Sequence, residues 1–291
     1  MTQRPVEQTT ASEPAPGAIA QLARECSIEL NVQDVRDLTA SRLLLPPGKK
    51  MYVSHLPKQT WQQTLDACRA VSEAGFDPIP HIPVRLLDSE RTLDDFLANA
   101  TVREVLLIAG DYPHPQGPYA TVADVLRAGK IGEHGLGRIS LAGHPEGHPK
   151  VSLAEIRSAE REKAQLALDS GLETTLLTQF FFEAEPFLDW SRQLRLDVPG
   201  VRLVGGLSGP ASIATLFRYA VRCGVGTSIR ALGARPTSLV KLIGEHGPDH
   251  VMRDLAVARG THPGLFDGIH FFCFGGFLRT CEWLQRVAEG R

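Results

Sequence analysis

The chain has 291 residues, 43% of them hydrophobic and 22% charged, with a formal net charge of −2. That length suits one large α/β barrel or two small domains, and the near-neutral charge gives no electrostatic case for nucleic acid or an anionic membrane as the main partner. No apolar run approaches the ~20 residues that a membrane span needs.

Met1 to Ala20 is rich in Pro, Thr, Glu and Ala and lacks the basic-then-apolar order of a signal peptide. It reads as a flexible tail, with residues 1–24 outside the folded domain and 25–291 inside it. Apolar, β-branched runs then predict strands at Ser27–Val32, Met51–Ser54, Pro78–Val84, Val105–Ala109, Arg138–Ala142, Thr174–Thr178, Arg202–Leu207 and Gly268–Cys273. Between them, amphipathic patterns predict helices at Thr60–Ala74, Leu93–Ala100, Thr121–Ala128, Leu153–Asp169, Pro186–Leu194, Ala211–Cys223, Pro236–Ala258 and Phe277–Glu289. Regular strand–helix alternation, with no Gly-x-Gly-x-x-Gly after an early strand, favours a single (β/α)8 TIM barrel over an open doubly wound sheet. The five cysteines are scattered, without Cys-x-x-Cys spacing, and read as free thiols in a reducing cytoplasm.

Several strand-like runs end in polar residues, as barrel enzymes build their active sites. Glu29 lies between Ile28 and Leu30, on the opposite face of its strand. In a barrel that face is the interior, where burial keeps a carboxyl protonated and suited to general acid work; on an edge strand the same residue faces water, and the local sequence weighs the two equally. Gly110 allows close approach or an unusual dihedral, and the following Asp111 is either a site carboxylate or a cap for the next turn. Tyr112 to Tyr119 reads as a stiff loop over the barrel mouth. Ser140 to Pro149 is an apolar run that stops in a rigid turn carrying His144, Glu146 and His148. Pro145 and Pro149 forbid a helix there, so His144-x3-His148 matches no helical zinc motif; these histidines and His81 read as hydrogen-bonding groups for a ligand, and no metal is expected. Gln179 can donate and accept towards an amide-like heterocycle, and Phe180, Phe181 and Phe182 offer either a stacking wall or packing between barrel and helices.

Together, Leu-Ile-Ala-Gly-Asp (107–111), Ala-Gly-His-Pro-Glu-Gly-His-Pro (142–149), Thr-Gln-Phe-Phe-Phe (178–182) and His-Phe-Phe (270–272), in that order, resemble the methylenetetrahydrofolate reductase family of (β/α)8 flavoproteins, over about Ser27 to Leu284. The resemblance implies catalytic roles for Glu29, as the general acid, and for Asp111, facing the pterin and cofactor. It implies substrate contacts for Gln179, Phe181 and Tyr219, and cofactor contacts for His81, Gly110, Tyr119, Ala120, His144, Glu146 and His148. The implied activity interconverts 5,10-methylenetetrahydrofolate and 5-methyltetrahydrofolate with NAD(P)H. The same chemistry run oxidatively in methoxy-group catabolism, or a non-catalytic folate-binding protein, are the alternatives. The implied partners are folate and a nicotinamide nucleotide, with NADH or NADPH and a homo-oligomer left open.

FAD is the family cofactor, and here the sequence departs from the family. Ala109 stands where an arginine normally helps bind the flavin diphosphate, Leu56 replaces a threonine, His144 replaces a tyrosine, and Ala167 and Leu168 stand where a lysine is expected. Each lost cation removes charge-assisted bonds of ~1.5–3 kcal/mol. Weak or absent FAD binding is the expectation unless Arg85, Arg161 or Lys163 compensates.

Overall fold

Alternation along each strand decides the architecture. In β1 (Ser27–Leu30), Ile28 and Leu30 join the large outer core while Ser27 and Glu29 take the other face. The computed structural model describes residues 13–110, 112–223 and 248–291. Within it, β1, β2 (Lys50–Val53), β3 (Asp77–Pro83), β4 (Glu104–Ile108), β5 (Arg138–Gly143), β6 (Glu173–Phe180), β7 (Arg202–Ser208) and β8 (Gly268–Phe272) close into one parallel barrel in chain order. β8 pairs back onto β1, with Ser27 opposite His270. All eight expected strands are present, and each end lies within a few residues of its expected position.

The outward residues pack under a helix layer. Among the described residues its members are α1 (Ala18–Glu25), the short α2 (Leu38–Ser41), α3 (Trp61–Glu73), α4 (Glu90–Asn99), α5 (Val122–Arg127), α6 (Lys130–Glu133), α7 (Leu153–Asp169), α8 (Ala184–Asp197), α9 (Ile213–Cys223), α10 (Asp249–Thr261) and α11 (Phe277–Ala288). Capping boxes start three of them: Thr60 with Gln63, Thr121 with Asp124, and Ser152 with Glu155. The N-terminal part of the expected Pro236–Ala258 helix lies outside the described residues. The inward residues form a separate small cluster of Tyr52, Ile79, Leu106 and Leu177, with Ile108 and Val204 against it. This cluster fills the barrel and makes the floor beneath the mouth.

The tail boundary at residue 24 is corrected. Ala18–Glu25 is a helix with Leu22 and Ala23 buried in the outer core. Arg24 Nη1 donates to the Ala288 carbonyl at 2.6 Å, and Glu25 pairs with Arg259 at 2.7 Å. The apolar stripe of α1 is only two turns long, which is why it was lost beside the Pro-rich stretch before it.

The loops after β7 and β8 interlock through glycines. The Gly209 N–H donates to the Phe272 carbonyl at 2.9 Å. A Cβ on Gly275 would lie 1.9 Å from the Pro210 carbonyl oxygen. Backbone cannot step aside as a side-chain tip can, so Gly275→Ala should destabilise the protein by about 1–3 kcal/mol or more, as overpacking does. Thermal unfolding checks this; an unchanged melting temperature contradicts the interlock.

Candidate active site

The C-terminal ends of the strands bring Glu29, His81, His270 and Tyr52 together. Glu29 Oε2 lies 3.6 Å from His81 Nε2, and both side chains are largely buried. Burial pushes the Glu29 carboxyl up to about 7; a hydrogen bond from Ser54 opposes the shift and the charge of Asp34 adds to it. The even choice left by the sequence therefore resolves to the interior. Burial also holds nearby histidines neutral: His81 is pushed down to about 3 and His55 to about 4. His270, fully buried, is held well below its ordinary value. His55 is fixed by Thr64 Oγ1 at 2.8 Å and by stacking on Trp61.

Below this group the interior is polar but fully paired. The Tyr52 hydroxyl and Ser140 Oγ are 2.9 Å apart, Ser140 donates to Glu104 at 2.6 Å, and Lys50 closes the chain on Glu104 at 2.6 Å. This thread anchors Tyr52, whose ring meets His81 and His270 edge-on.

The turn after β5 is held by a residue that sequence reasoning missed. Glu160, buried on α7, accepts from the His144 backbone N–H at 2.6 Å, from Arg157 at 2.7 Å and from the Trp190 indole at 3.0 Å. Burial alone would raise its pKa. The bonds from His144 and Trp190 and the charges of Arg157 and Lys163 outweigh this and hold it at about 2. Arg157 also donates to the carbonyls of His144 and Pro145. Gly143 lets Trp190 lie this close, since a Cβ there would sit 2.7 Å from the ring. The signal was present: Ile156, Glu160, Ala164 and Ala167 share one buried helix stripe, and a glutamate in such a stripe needs partners. The His144 Nδ1 also faces Glu160, at 3.7 Å. His148 meets His144 edge-on and bridges to Val151, and Glu146 lies half-buried in the same turn.

Across the mouth, Phe272, Phe274 and Tyr219 form a run of stacked rings. Tyr219 and Phe274 are 4.1 Å apart at 16°, with Phe180 edge-on to Phe274 at 4.8 Å. Gly206 makes room, since its Cβ would fall 2.7 Å from Phe272. Phe274 was not singled out from sequence, although Phe-Phe-Cys-Phe at a strand end was its signal. Gln179 lies half-buried at the end of β6, and its side-chain amide makes no hydrogen bond among the described residues.

Two expected ligand contacts are corrected. Phe181 is buried on the outer face, stacked on Phe187 of α8 at 5.0 Å, because the register shift between Leu177 and Phe180 turns Phe180 to the mouth instead. Tyr119 is buried in the outer core, so its ring lies in the helix layer and not over the mouth. Ala120 is exposed, its carbonyl accepting from Arg85 Nε at 2.9 Å. Gly110 takes φ +85°, the left-handed conformation its position suggested. Asp111 lies outside the described residues. The cations considered as substitutes are engaged: Arg85 on the carbonyls of Ala120 and Tyr112, Arg161 on Asp197 at 3.1 Å, and Lys163, its pKa lowered by burial to about 8, on the Ala142 carbonyl. Leu56 is exposed.

Fold and site define a (β/α)8 barrel with a buried carboxyl of raised pKa and an aromatic wall at the C-terminal mouth of its strands. The sequence likeness is to methylenetetrahydrofolate reductase: an alignment of length 140 that covers 44% of this chain is 26% identical to methylenetetrahydrofolate reductase 2 of Saccharomyces cerevisiae. The match spans 23% of that relative's length. No family model matches the chain. A solved protein of Clostridium thermocellum, described as uncharacterized and binding two copies of 5-methyl-5,6,7,8-tetrahydrofolic acid, superposes with a TM-score of 0.60 at 12% identity, covering 92% of this chain and 96% of that one. At that identity the likeness is one of fold. No helix among the described residues is long and apolar enough to cross a membrane.

The raised pKa of Glu29 has a stability consequence. Between the ordinary value of 4.5 and about 7 the folded chain keeps a proton that the unfolded chain has released. The stability this contributes is complete below about pH 4.5, falls as pH rises and is gone above about pH 7. Glu29→Gln should therefore stabilise the protein at pH 8, by at most about 3 kcal/mol and with a higher melting temperature, and leave both unchanged near pH 4.5. Thermal unfolding of both proteins across this range is the check.

Proposed function

We propose that this chain is a methylenetetrahydrofolate reductase-type oxidoreductase, converting 5,10-methylenetetrahydrofolate, NAD(P)H and one proton to 5-methyltetrahydrofolate and NAD(P)+. The observation that carries the reading is the Glu29 carboxyl, buried yet at the mouth, its pKa raised by burial to about 7 and its Oε2 3.6 Å from Nε2 of neutral His81. An acid poised close to working pH is what opening the methylene bridge requires. Glu29 donates its proton to the bridge nitrogen as the C–N bond breaks, leaving an iminium that accepts hydride at the exocyclic carbon. The nicotinamide supplies that hydride; the protein supplies position and electrostatics. Gln179 reads the pterin edge, and the Tyr219–Phe274–Phe272 stack gives a planar ring a face to lie on. By resemblance Asp111 polarises the pterin.

FAD does not fit the residues present. The positions expected to carry two cations hold Ala109 and Ala167–Leu168, and Arg85, Arg161 and Lys163 are already committed to carbonyls or to Asp197. Hydride therefore passes directly from nicotinamide to folate.

Purified protein is expected to be colourless or substoichiometric in flavin and active with NAD(P)H and methylenetetrahydrofolate. Glu29→Gln should lose ~10²–10⁴-fold in turnover while still binding folate. A yellow protein with about one flavin per chain, inactive when stripped, overturns the flavin-free reading alone. Folate binding without turnover in the wild type would instead make it a folate-binding protein. Gln179→Ala should raise the folate Michaelis constant by about tenfold or more, since a polar group pairing with a heterocycle edge is lost. Calorimetry showing unchanged folate affinity would reduce Gln179 to a structural role.

A further inference from the structure

Two buried imidazole nitrogens near Glu29, His81 Nε2 and His270 Nε2, have no hydrogen-bond partner among the described residues. His270 sits opposite Ser27 in the β1–β8 ladder, which places it one same-face step from Glu29 inside the barrel. Its Nδ1 is 2.9 Å from the Ser27 hydroxyl, which fixes the ring. Its other contacts are aromatic edges: Tyr52 at 4.9 Å and Phe272 at 4.8 Å. The Tyr52 ring also meets His81, at 6.1 Å, so the two imidazoles flank one phenol. A buried nitrogen left unpaired is costly, and ordered water is the usual partner where no side chain reaches.

We propose that His81 and His270 together hold one water against the Glu29 carboxyl, and that His270 acts through this water as a positioning residue for proton transfer. The catalytic meaning rests on the reading above; the water site does not. When Glu29 gives its proton to the folate nitrogen, its O–H bond breaks and an N–H bond forms. The water keeps both its hydrogens and only turns, from accepting the carboxyl proton to donating to the new carboxylate. The other groups that face Glu29 are Ser54, which already donates to it, and Asp34, whose charge opposes ionisation. The Cys273 thiol is held protonated by burial, and His55 is held neutral by burial beside His81. Among these described groups Ser54 alone is a strong donor, so a second one matters.

The test compares His270→Phe, His270→Gln and Ser27→Ala with wild type. Infrared pH titration of ligand-free protein, with Glu29→Gln as the subtraction reference, reads the carboxyl directly and needs no turnover. In His270→Phe the carboxyl signal should persist to higher pH, because the donor that favours the carboxylate has gone. Ser27→Ala should move it the same way by less, and carries the test if His270→Phe does not fold. His270→Gln, whose amide can still bind water, should stay near wild type. In turnover, His270→Phe should lower kcat about tenfold to a hundredfold, the range of one hydrogen bond to a charged group, at an unchanged folate KM. An unmoved carboxyl titration in folded His270→Phe or Ser27→Ala overturns the water site. A moved titration with no turnover in any form, wild type included, upholds the water site and removes the enzymatic reading instead.

Discussion

The site depends on one constraint: an inward-facing side chain of a closed eight-strand barrel has exchanged bulk water for its neighbours. Whether a titratable group there carries charge is set by what touches it. Glu29 meets one hydroxyl, one neutral imidazole and the negative charge of Asp34, and keeps its proton. Glu160, buried outside the barrel, meets a guanidinium, an indole N–H and a backbone N–H, and loses its own. The two carboxyls are both buried and their environments push them in opposite directions. One becomes a source of protons and the other a fixed anchor.

The mouth is built from unlike walls around that acid. The β1–β3 side is polar and held uncharged by burial. The β6–β8 side is aromatic, and it exists because glycines at 205 and 206 let rings approach from both faces of β7: Phe181 and Phe187 from the helix layer, Phe272 from within. Between the walls the turn after β5 is carried by α7, and the loop after β4 is tied by Arg85 to the segment after β3. A planar heterocycle with a polar edge is the shape this asymmetry accommodates.

The barrel was legible because period-two patterning and strand–helix alternation are local properties of the chain, and the strand ends followed within a few residues. Glu29 was legible as a candidate, but its state was not, because inside and outside faces look the same until the sheet closes. Phe181 was expected at the site only through the resemblance, and the register shift before Phe180, which no local pattern announces, turns Phe181 to the helix layer and Phe180 to the mouth. Tyr119 was expected at the cofactor through the resemblance, and a loop running over the mouth does not fix where its last side chain is buried. His270 and Phe274 were read only as part of a motif or not at all. Their importance comes from β8 meeting β1 and α9, contacts between residues about 240 and 55 positions apart in sequence. Glu160 was readable in principle from its helix stripe.

The Glu160 anchor also bears on how such a chain can change over generations. Its partners lie on three separate elements: His144 in the turn, Arg157 on the same helix and Trp190 on the next. The His144 bond comes from the backbone and survives any residue there but proline. Replacing Glu160, Arg157 or Trp190 alone strands a buried charge or an indole N–H, whereas exchanging those three together for a packed apolar set leaves only the backbone N–H to satisfy. Positions 157, 160 and 190 should therefore drift as a block, either all retained or all replaced. A sequence that keeps the turn but has lost Glu160 must hold that turn by a different set of contacts.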